Sequence, residues 1–186
     1  MLLGVQAGGH KMATVTLHRH RTVLDEPAVV SAYLEAQGIP YASWGVRQLK
    51  GRMKNATFSP EDQQAILSLY EPELMELKAR WGYRSQDLVV LSDRTPNLEG
   101  ILAPFRREHH HTDDEVRCVV DGSGLFTVCR GRLVFDVTVR PGDLIMIPAF
   151  TRHWFSLTPE RKITCIRVFK DPAGWAAIYD EPNSSV

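Results

Sequence analysis

From residue 86 onward, short β-rich runs follow one another with little between them but turn residues, and this constrains the fold more than any other feature. The runs are Leu88–Leu91, Glu115–Val120, Gly124–Cys129, Leu133–Val139, Asp143–Ile147, His153–Leu157 and Ile163–Phe169. Asp121-Gly122-Ser123-Gly124, Arg130-Gly131 and Pro141-Gly142-Asp143 are the kinds of residue that reverse a chain between strands. Many short strands at near-even spacing describe an antiparallel barrel or jelly roll.

Before residue 86 the apolar spacing is helical instead. Asp25-Glu26-Pro27 predicts a helix start, with Asp25 as N-cap and proline in the first turn. Val29, Val30, Tyr33 and Leu34 then recur at helical spacing until Gly38 and Pro40 stop the run. Ser59-Pro60-Glu61-Asp62 starts a second helix, and Leu74, Met75 and Leu77 mark a third ending near Gly82. The expected fold is α+β and mainly β: helices over about 25–82 packed against a barrel over about 86–170, in one domain spanning 12–180. Met1–Lys11 is read as an extension that is not native, with Met12 as the initiator. Its apolar opening is too short for a signal peptide and lacks a basic start. Residues 181–186 are expected to be a flexible tail.

Composition narrows the partners. The chain has 186 residues, enough for a sizeable core, and 22 basic residues balance 22 acidic ones without a long block of either sign. No electrostatic footprint for nucleic acid or an anionic membrane results, and no apolar run approaches the roughly 20 residues needed to span a bilayer. Cys118, Cys129 and Cys165 form an odd set inside strand-like runs. They read as reduced core cysteines of a cytoplasmic protein, expected to be a monomer.

The chemistry gathers in Glu108-His109-His110-His111-Thr112-Asp113-Asp114-Glu115-Val116-Arg117 and in His153 downstream. On a strand, residues two apart share a face with their Cα atoms roughly 6.6 Å apart, so His109 and His111 can close on one ion while His110 points away. Glu115 offers a carboxylate and His153 a further nitrogen. Such a nitrogen and oxygen set without cysteine suits Fe(II), Ni(II), Mn(II) or Cu(II) more than structural zinc. The plainer alternative is a solvated surface run, which is how His18 and His20 are read. Asp113 and Asp114 read as turn residues. Glu108 either accepts a hydrogen bond behind the ligands or is exposed.

Strand alternation adds two arginines. If Glu115 points inward, so do Arg117 and Val119, while Val116 and Cys118 face the other way. Ile163, Cys165, Arg167 and Phe169 likewise share one face. Each arginine is either a structural ion pair with a barrel carboxylate or an anchor for an anionic substrate, to which its fork of donors is suited.

His109-x-His111-x3-Glu115-x6-Gly122 resembles the first cupin motif, and Gly142-x5-Pro148-x4-His153 resembles the second, with 19 residues between Gly122 and Gly142. Three positions depart from it: Phe150 where glycine is preferred, Leu157 where asparagine is common, and Ala103 in place of an opening glycine. A narrower family is similar over more of the chain. Thr95-Pro96-Asn97-Leu98, Glu108 to Arg117, Gly122 to Phe126, Arg152 to Phe155, Ile166 to Phe169 and Pro172-x-Gly174-Trp175 resemble bacterial acireductone dioxygenases in order and spacing. The resemblance extends from about residue 12 to 180 and is strongest over 95–175.

That resemblance implies a cupin-like barrel and an enzyme of methionine salvage. Its substrate would be 1,2-dihydroxy-5-(methylsulfanyl)pent-1-en-3-one, with O2 as co-substrate. With Fe(II) the family forms 4-methylsulfanyl-2-oxobutanoate and formate; with Ni(II) it forms 3-methylsulfanylpropanoate, formate and carbon monoxide. By position it makes His109, His111, Glu115 and His153 ligands to one metal ion per chain, and places Arg117 and Arg167 near the substrate. Phe105, Phe155 and Trp175 would wall the pocket. The ligand set leaves Fe(II) and Ni(II) both open. Competing readings are another cupin metalloenzyme, such as a quercetinase-like dioxygenase or an isomerase, and a small-molecule-binding cupin without catalysis.

Overall fold

The computed structural model describes residues 12–47, 49 and 58–180. The expected extension Met1–Lys11 and the tail 181–186 lie outside the described residues. In chain order the elements are β1 (Thr14–Leu17), β2 (Thr22–Leu24), α1 (Pro27–Ala36), β3 (Tyr41–Ser43), α2 (Pro60–Leu69), α3 (Glu71–Trp81), β4 (Ser85–Ser92) and α4 (Leu98–Leu102). There follow β5 (Glu115–Gly122), β6 (Gly124–Arg130), β7 (Leu133–Val139), β8 (Asp143–Ile147), β9 (His153–Leu157), β10 (Lys162–Phe169) and a 3-10 turn, Pro172–Trp175.

The strands form two five-stranded antiparallel sheets, ordered β2-β1-β7-β6-β9 and β3-β8-β5-β10-β4. Their facing side chains make the main core: Val15, Phe126, Phe135 and Val137 from the first sheet meet Val119, Ile145, Ile147, Ile163 and Cys165 from the second. In β7 only Phe135, Val137 and Val139 are buried, so the outer face of the first sheet is partly solvated. The second sheet is covered on both faces. Val116, Cys118, Leu144, Met146, Ile166 and Val168 point outward onto Ile66 of α2, Leu74 and Leu77 of α3, and Tyr70 between the two helices. That double burial leaves β5 buried at every position but Asp121, its charged residues included. Val119 and Val116 fall on opposite faces, as alternation requires.

The helix starts are partly as expected. Ser59 and Asp62 form a capping box, in which Ser59 Oγ accepts from the Asp62 amide at 3.2 Å and Asp62 Oδ2 accepts from the Ser59 amide at 3.2 Å. The α1 cap is corrected: Glu26, not Asp25, is the N-cap, and no side chain bonds there. Pro27 fixes the first-turn φ, so that helix begins without a side-chain acceptor. Val29 and Met75 point to solvent although both fell in apolar runs. β1, β2 and β3 also lie in the stretch read as helical or unassigned; they are three or four residues long and add to sheets begun by distant strands.

One glycine position is required by close packing. Gly122 ends β5 at φ 71°, and a Cβ there would lie 2.2 Å from the Lys162 carbonyl oxygen. None of the described helices is long and apolar enough to cross a membrane.

Candidate metal centre

Glu115 opens β5 opposite Ile147 of β8, and His153 opens β9. His109 is not in a regular strand. It pairs with His153 in an isolated bridge, each amide donating to the other's carbonyl at 3.0 and 2.9 Å. His110 makes the corresponding bridge with Ile178. The extended backbone at these bridges keeps the alternation expected of a strand. His109 and His111 turn to one side, with ring centroids 5.0 Å apart, and His153 lies 4.6 and 5.3 Å from them. His110 turns away, its ring 6.0 Å from Phe150 and its Nδ1 3.6 Å from Asp180.

The three rings are held in one tautomer by main-chain carbonyls. His109 Nδ1 is 2.7 Å from Arg107 O, His153 Nδ1 2.7 Å from Thr151 O, and His111 Nδ1 3.2 Å from Ala176 O. A carbonyl only accepts, so each Nδ1 carries the proton and donates it, leaving the Nε2 lone pair free. The potential ligand atoms of the three histidines lie within 4.8 Å of one another. Glu115 joins them: its Oε2 is 2.7 Å from His153 Nε2 and 3.8 Å from His111 Nε2. All four side chains are at most 3% exposed.

Glu115 Oε2 and His153 Nε2 are buried, and among the described residues neither has a hydrogen-bond partner besides their 2.7 Å contact with each other. Orphaned buried acceptors are costly unless something electrophilic fills the space between them. Protonation tells the same story. Burial pushes His109 down to about 4 and lowers His111 as well. Burial also resists ionisation of Glu115, but the Arg117 charge and then His153 outweigh it and hold the carboxyl well below the usual range. His153 is lowered by burial and raised by Glu115, and the second effect wins. His109 and His111 are thus held neutral beside an ionised Glu115, while His153, favoured as the cation by that carboxylate, must give up its proton to coordinate, so three nitrogens and one oxygen fit a divalent ion that displaces a proton on binding.

The two arginines differ. Arg117 is 8% exposed, and its Nε donates to Glu115 Oε1 at 2.6 Å. Its Nη1 donates to Cys165 Sγ at 3.4 Å, and its guanidinium lies 5.2 Å from the Trp175 ring and 5.7 Å from Phe155. Arg167 is engaged bidentately by Asp87 of β4, with Nε at 2.8 Å from Oδ1. Its guanidinium lies 5.4 Å from the same Trp175 ring. Both guanidinium groups thus lie near one Trp175 ring, which also stacks on His111 with ring centroids 6.0 Å apart. Beyond Trp175 a surface cavity of about 590 Å³ is lined by Gln86, Asp87, Arg167, Phe169 and Trp175 among others. Phe105 packs edge-on to His109 at 6.2 Å, whereas Phe155 is a core residue against Phe126.

Sequence reasoning missed several contributors. Tyr179 lies 6.0 Å from His109 and donates to Pro104 O at 3.1 Å, beneath the Arg107 guanidinium. The Arg107, Thr151 and Ala176 carbonyls carry no sequence signal, because every residue has one. Glu108 is exposed and pairs with Arg152 at 2.8 Å, away from the histidines. His18 is also exposed and pairs with Asp136 at 2.9 Å.

Comparison with known proteins bears on the whole chain. The ARD/ARD' family matches residues 42–177. The acireductone dioxygenase of Sulfurihydrogenibium sp. (strain YO3AOP1) is 49% identical over 175 residues, covering 94% of this chain and 98% of that protein. The acireductone dioxygenase of Bacillus pumilus (strain SAFR-032) is 42% identical over 174 residues, covering 91% and 98%. Among solved structures, acireductone dioxygenase from Bacillus anthracis with a cadmium ion in its active centre superposes with TM-score 0.87 at 37% identity, covering 92% of this chain and 100% of that one.

Proposed function

The chain belongs to the ARD/ARD' family, and on that footing we propose that it is an acireductone dioxygenase cleaving 1,2-dihydroxy-5-(methylsulfanyl)pent-1-en-3-one with O2. The observation that carries the reading is the convergence of three Nε2 atoms, tautomer-fixed by main-chain carbonyls, on the orphaned Oε2 of Glu115. In this reading residues 12–180 act as one domain, and His109, His111, Glu115 and His153 hold one Fe(II) or Ni(II) ion. When bound, that ion supplies a Lewis acid and a template for the neighbouring oxygens of an acidic enediol.

The remaining work falls to the chain's own side chains. Arg117 keeps Glu115 ionised and offers its other N–H donors to a substrate enolate where water is scarce. Arg167 acts at one remove, its fork closed by Asp87 and its face against Trp175. Trp175 and Phe105 shield the histidines from two sides, and Phe155 forms the floor under Arg117. With Fe(II) the products are 4-methylsulfanyl-2-oxobutanoate and formate; with Ni(II) they are 3-methylsulfanylpropanoate, formate and carbon monoxide. Balanced charge and three free cysteines support a cytoplasmic protein, and we take it as a monomer.

Metal analysis of purified protein coupled to product detection tests this. Carbon monoxide from acireductone and O2 identifies the nickel reaction, and keto acid without it the iron reaction. Protein reconstituted with either ion that consumed no O2 in the presence of acireductone would sink the proposal.

A further inference from the structure

Asp113 lies between the ligand-bearing residues His111 and Glu115, is 8% exposed, and among the described residues faces no basic side chain at bonding distance. Its carboxylate is instead filled by backbone amides. Oδ1 accepts from the Asp114 amide at 2.8 Å, and Oδ2 accepts from the amides of Lys170 at 2.9 Å and Asp171 at 3.2 Å. These last two begin the turn that leads into Pro172–Trp175. Further along the same turn, the Gly174 carbonyl accepts from the amides of Thr112 and Asp113 at 3.1 and 3.3 Å. The approach there is so close that a Cβ on Gly174 would lie 2.7 Å from the Asp113 Cβ. Trp175 Nε1 then donates to Asp114 O at 3.1 Å. The turn delivers two groups to His111: the Trp175 ring stacked on it and the Ala176 carbonyl that holds its Nδ1 proton.

His109 and His153 receive their carbonyls from residues two positions away, but His111 depends on a residue 65 positions downstream. Something must fix that distant segment in register, and at its start the Asp113 carboxylate grips the main chain while the Lys170 side chain pairs with Asp114 at 2.6 Å. We propose that Asp113 is a positioning residue of the metal centre, clamping the 170–176 turn onto the ligand segment so that Trp175 and Ala176 orient His111. The proposal rests on His111 being a ligand. A charge-assisted bond to a main-chain amide is stronger than a neutral one, so the carboxylate rather than an amide side chain is suited to the task.

The test compares wild type, Asp113→Asn and Gly174→Ala by Ni(II) titration per folded molecule and by amide hydrogen exchange over residues 170–178. Asparagine keeps one acceptor but sets an NH2 group against the backbone amides, and alanine pushes the turn away while leaving the carboxylate in place. Both variants are expected to bind Ni(II) at least about tenfold more weakly, as when a group orienting a ligand is lost. Exchange over 170–178 should be about tenfold faster, with β5 and β6 unchanged. A lowered melting temperature with Ni(II) affinity within about twofold of wild type would show a merely structural role and overturn the proposal. Should Asp113→Asn not fold, Gly174→Ala decides alone. Wild-type protein that bound no Ni(II) or Fe(II) would instead overturn the reading of the centre itself.

Discussion

Arg117 Nε donates to Glu115 Oε1 at 2.6 Å, while the other oxygen of the same carboxylate lies 2.7 Å from His153 Nε2. One carboxylate is thus divided between a cation and the histidine cluster, at 3% exposure. Removing one partner of a buried pair leaves an uncompensated charge, so Arg117→Met is expected to lower stability by about 3–5 kcal/mol. Arg117→Lys restores the charge without the planar fork, and should recover most of that stability while raising KM at least about tenfold. Urea denaturation and steady-state kinetics measure the two effects separately. An Arg117→Met protein as stable as wild type would show that Glu115 does not rely on this arginine.

The alternation through the histidine triplet makes a sharper distinction. His111→Ala should lose stoichiometric metal and all turnover, because an Nε2 of the cluster disappears. His110→Ala should keep both, since His110 faces Phe150 and Asp180 instead. Metal analysis of the two purified variants decides it, and metal-free His110→Ala protein would mean that the faces are misassigned.

Phe150 adopts φ 61° and is 68% exposed. A side chain in the left-handed region costs about 1–2 kcal/mol, and this ring buries too little to offset it. The backbone role of the position is independent of the side chain: the Phe150 amide donates to His111 O at 2.8 Å. Phe150→Gly is therefore expected to raise stability by about 1 kcal/mol without loss of bound metal. Thermal melts check it; a lowered melting temperature would mean that the ring holds more than its contact with His110.

Asp143 supplies a pH dependence remote from the centre. Burial pushes its carboxyl from 3.8 up to about 6, although Tyr41 Oη at 2.6 Å and the Arg140 amide at 2.7 Å pull it down. The folded state therefore holds the proton more tightly than the unfolded chain. Its ionisation costs nothing below about pH 4 and is fully costly above about pH 6, a difference of about 3 kcal/mol at 1.36 kcal/mol per unit. Asp143→Asn cannot ionise, so its stability relative to wild type should improve by up to that amount between pH 4 and pH 7. Denaturation curves at both pH values measure it; a pH-independent difference would show that Asp143 is not raised.

Where local pattern decides structure, the chain was readable. The capping box of Ser59 and Asp62 is a contiguous signal, and the runs from Glu115 to Phe169 became strands because turn residues isolate them. The shared side of His109 and His111 could be anticipated because strand alternation fixes faces, while His153 was tied to them by the resemblance of its motif rather than by any local pattern. What could not be read depends on contacts across the fold. β3 exists because Tyr41, Ala42 and Ser43 pair with Ile145, Leu144 and Asp143, about a hundred positions on. Arg117 and Arg167 looked equivalent in the sequence, and only the register Arg167↔Asp87 separates the one closed by a carboxylate on β4. Tyr179 lies beyond the last strong motif and meets His109 only through the path of the chain.

The carbonyls that orient the three imidazoles have an evolutionary consequence. Arg107, Thr151 and Ala176 each contribute a main-chain oxygen, a group that every amino acid carries. Their side chains can drift without touching the tautomers, so long as the backbone path is kept. Heritable change at those positions is decoupled from the chemistry of the histidines, and mutations that disturb the centre must act on its four side chains, on side chains that touch them such as Arg117 and Trp175, or on the course of the chain around it.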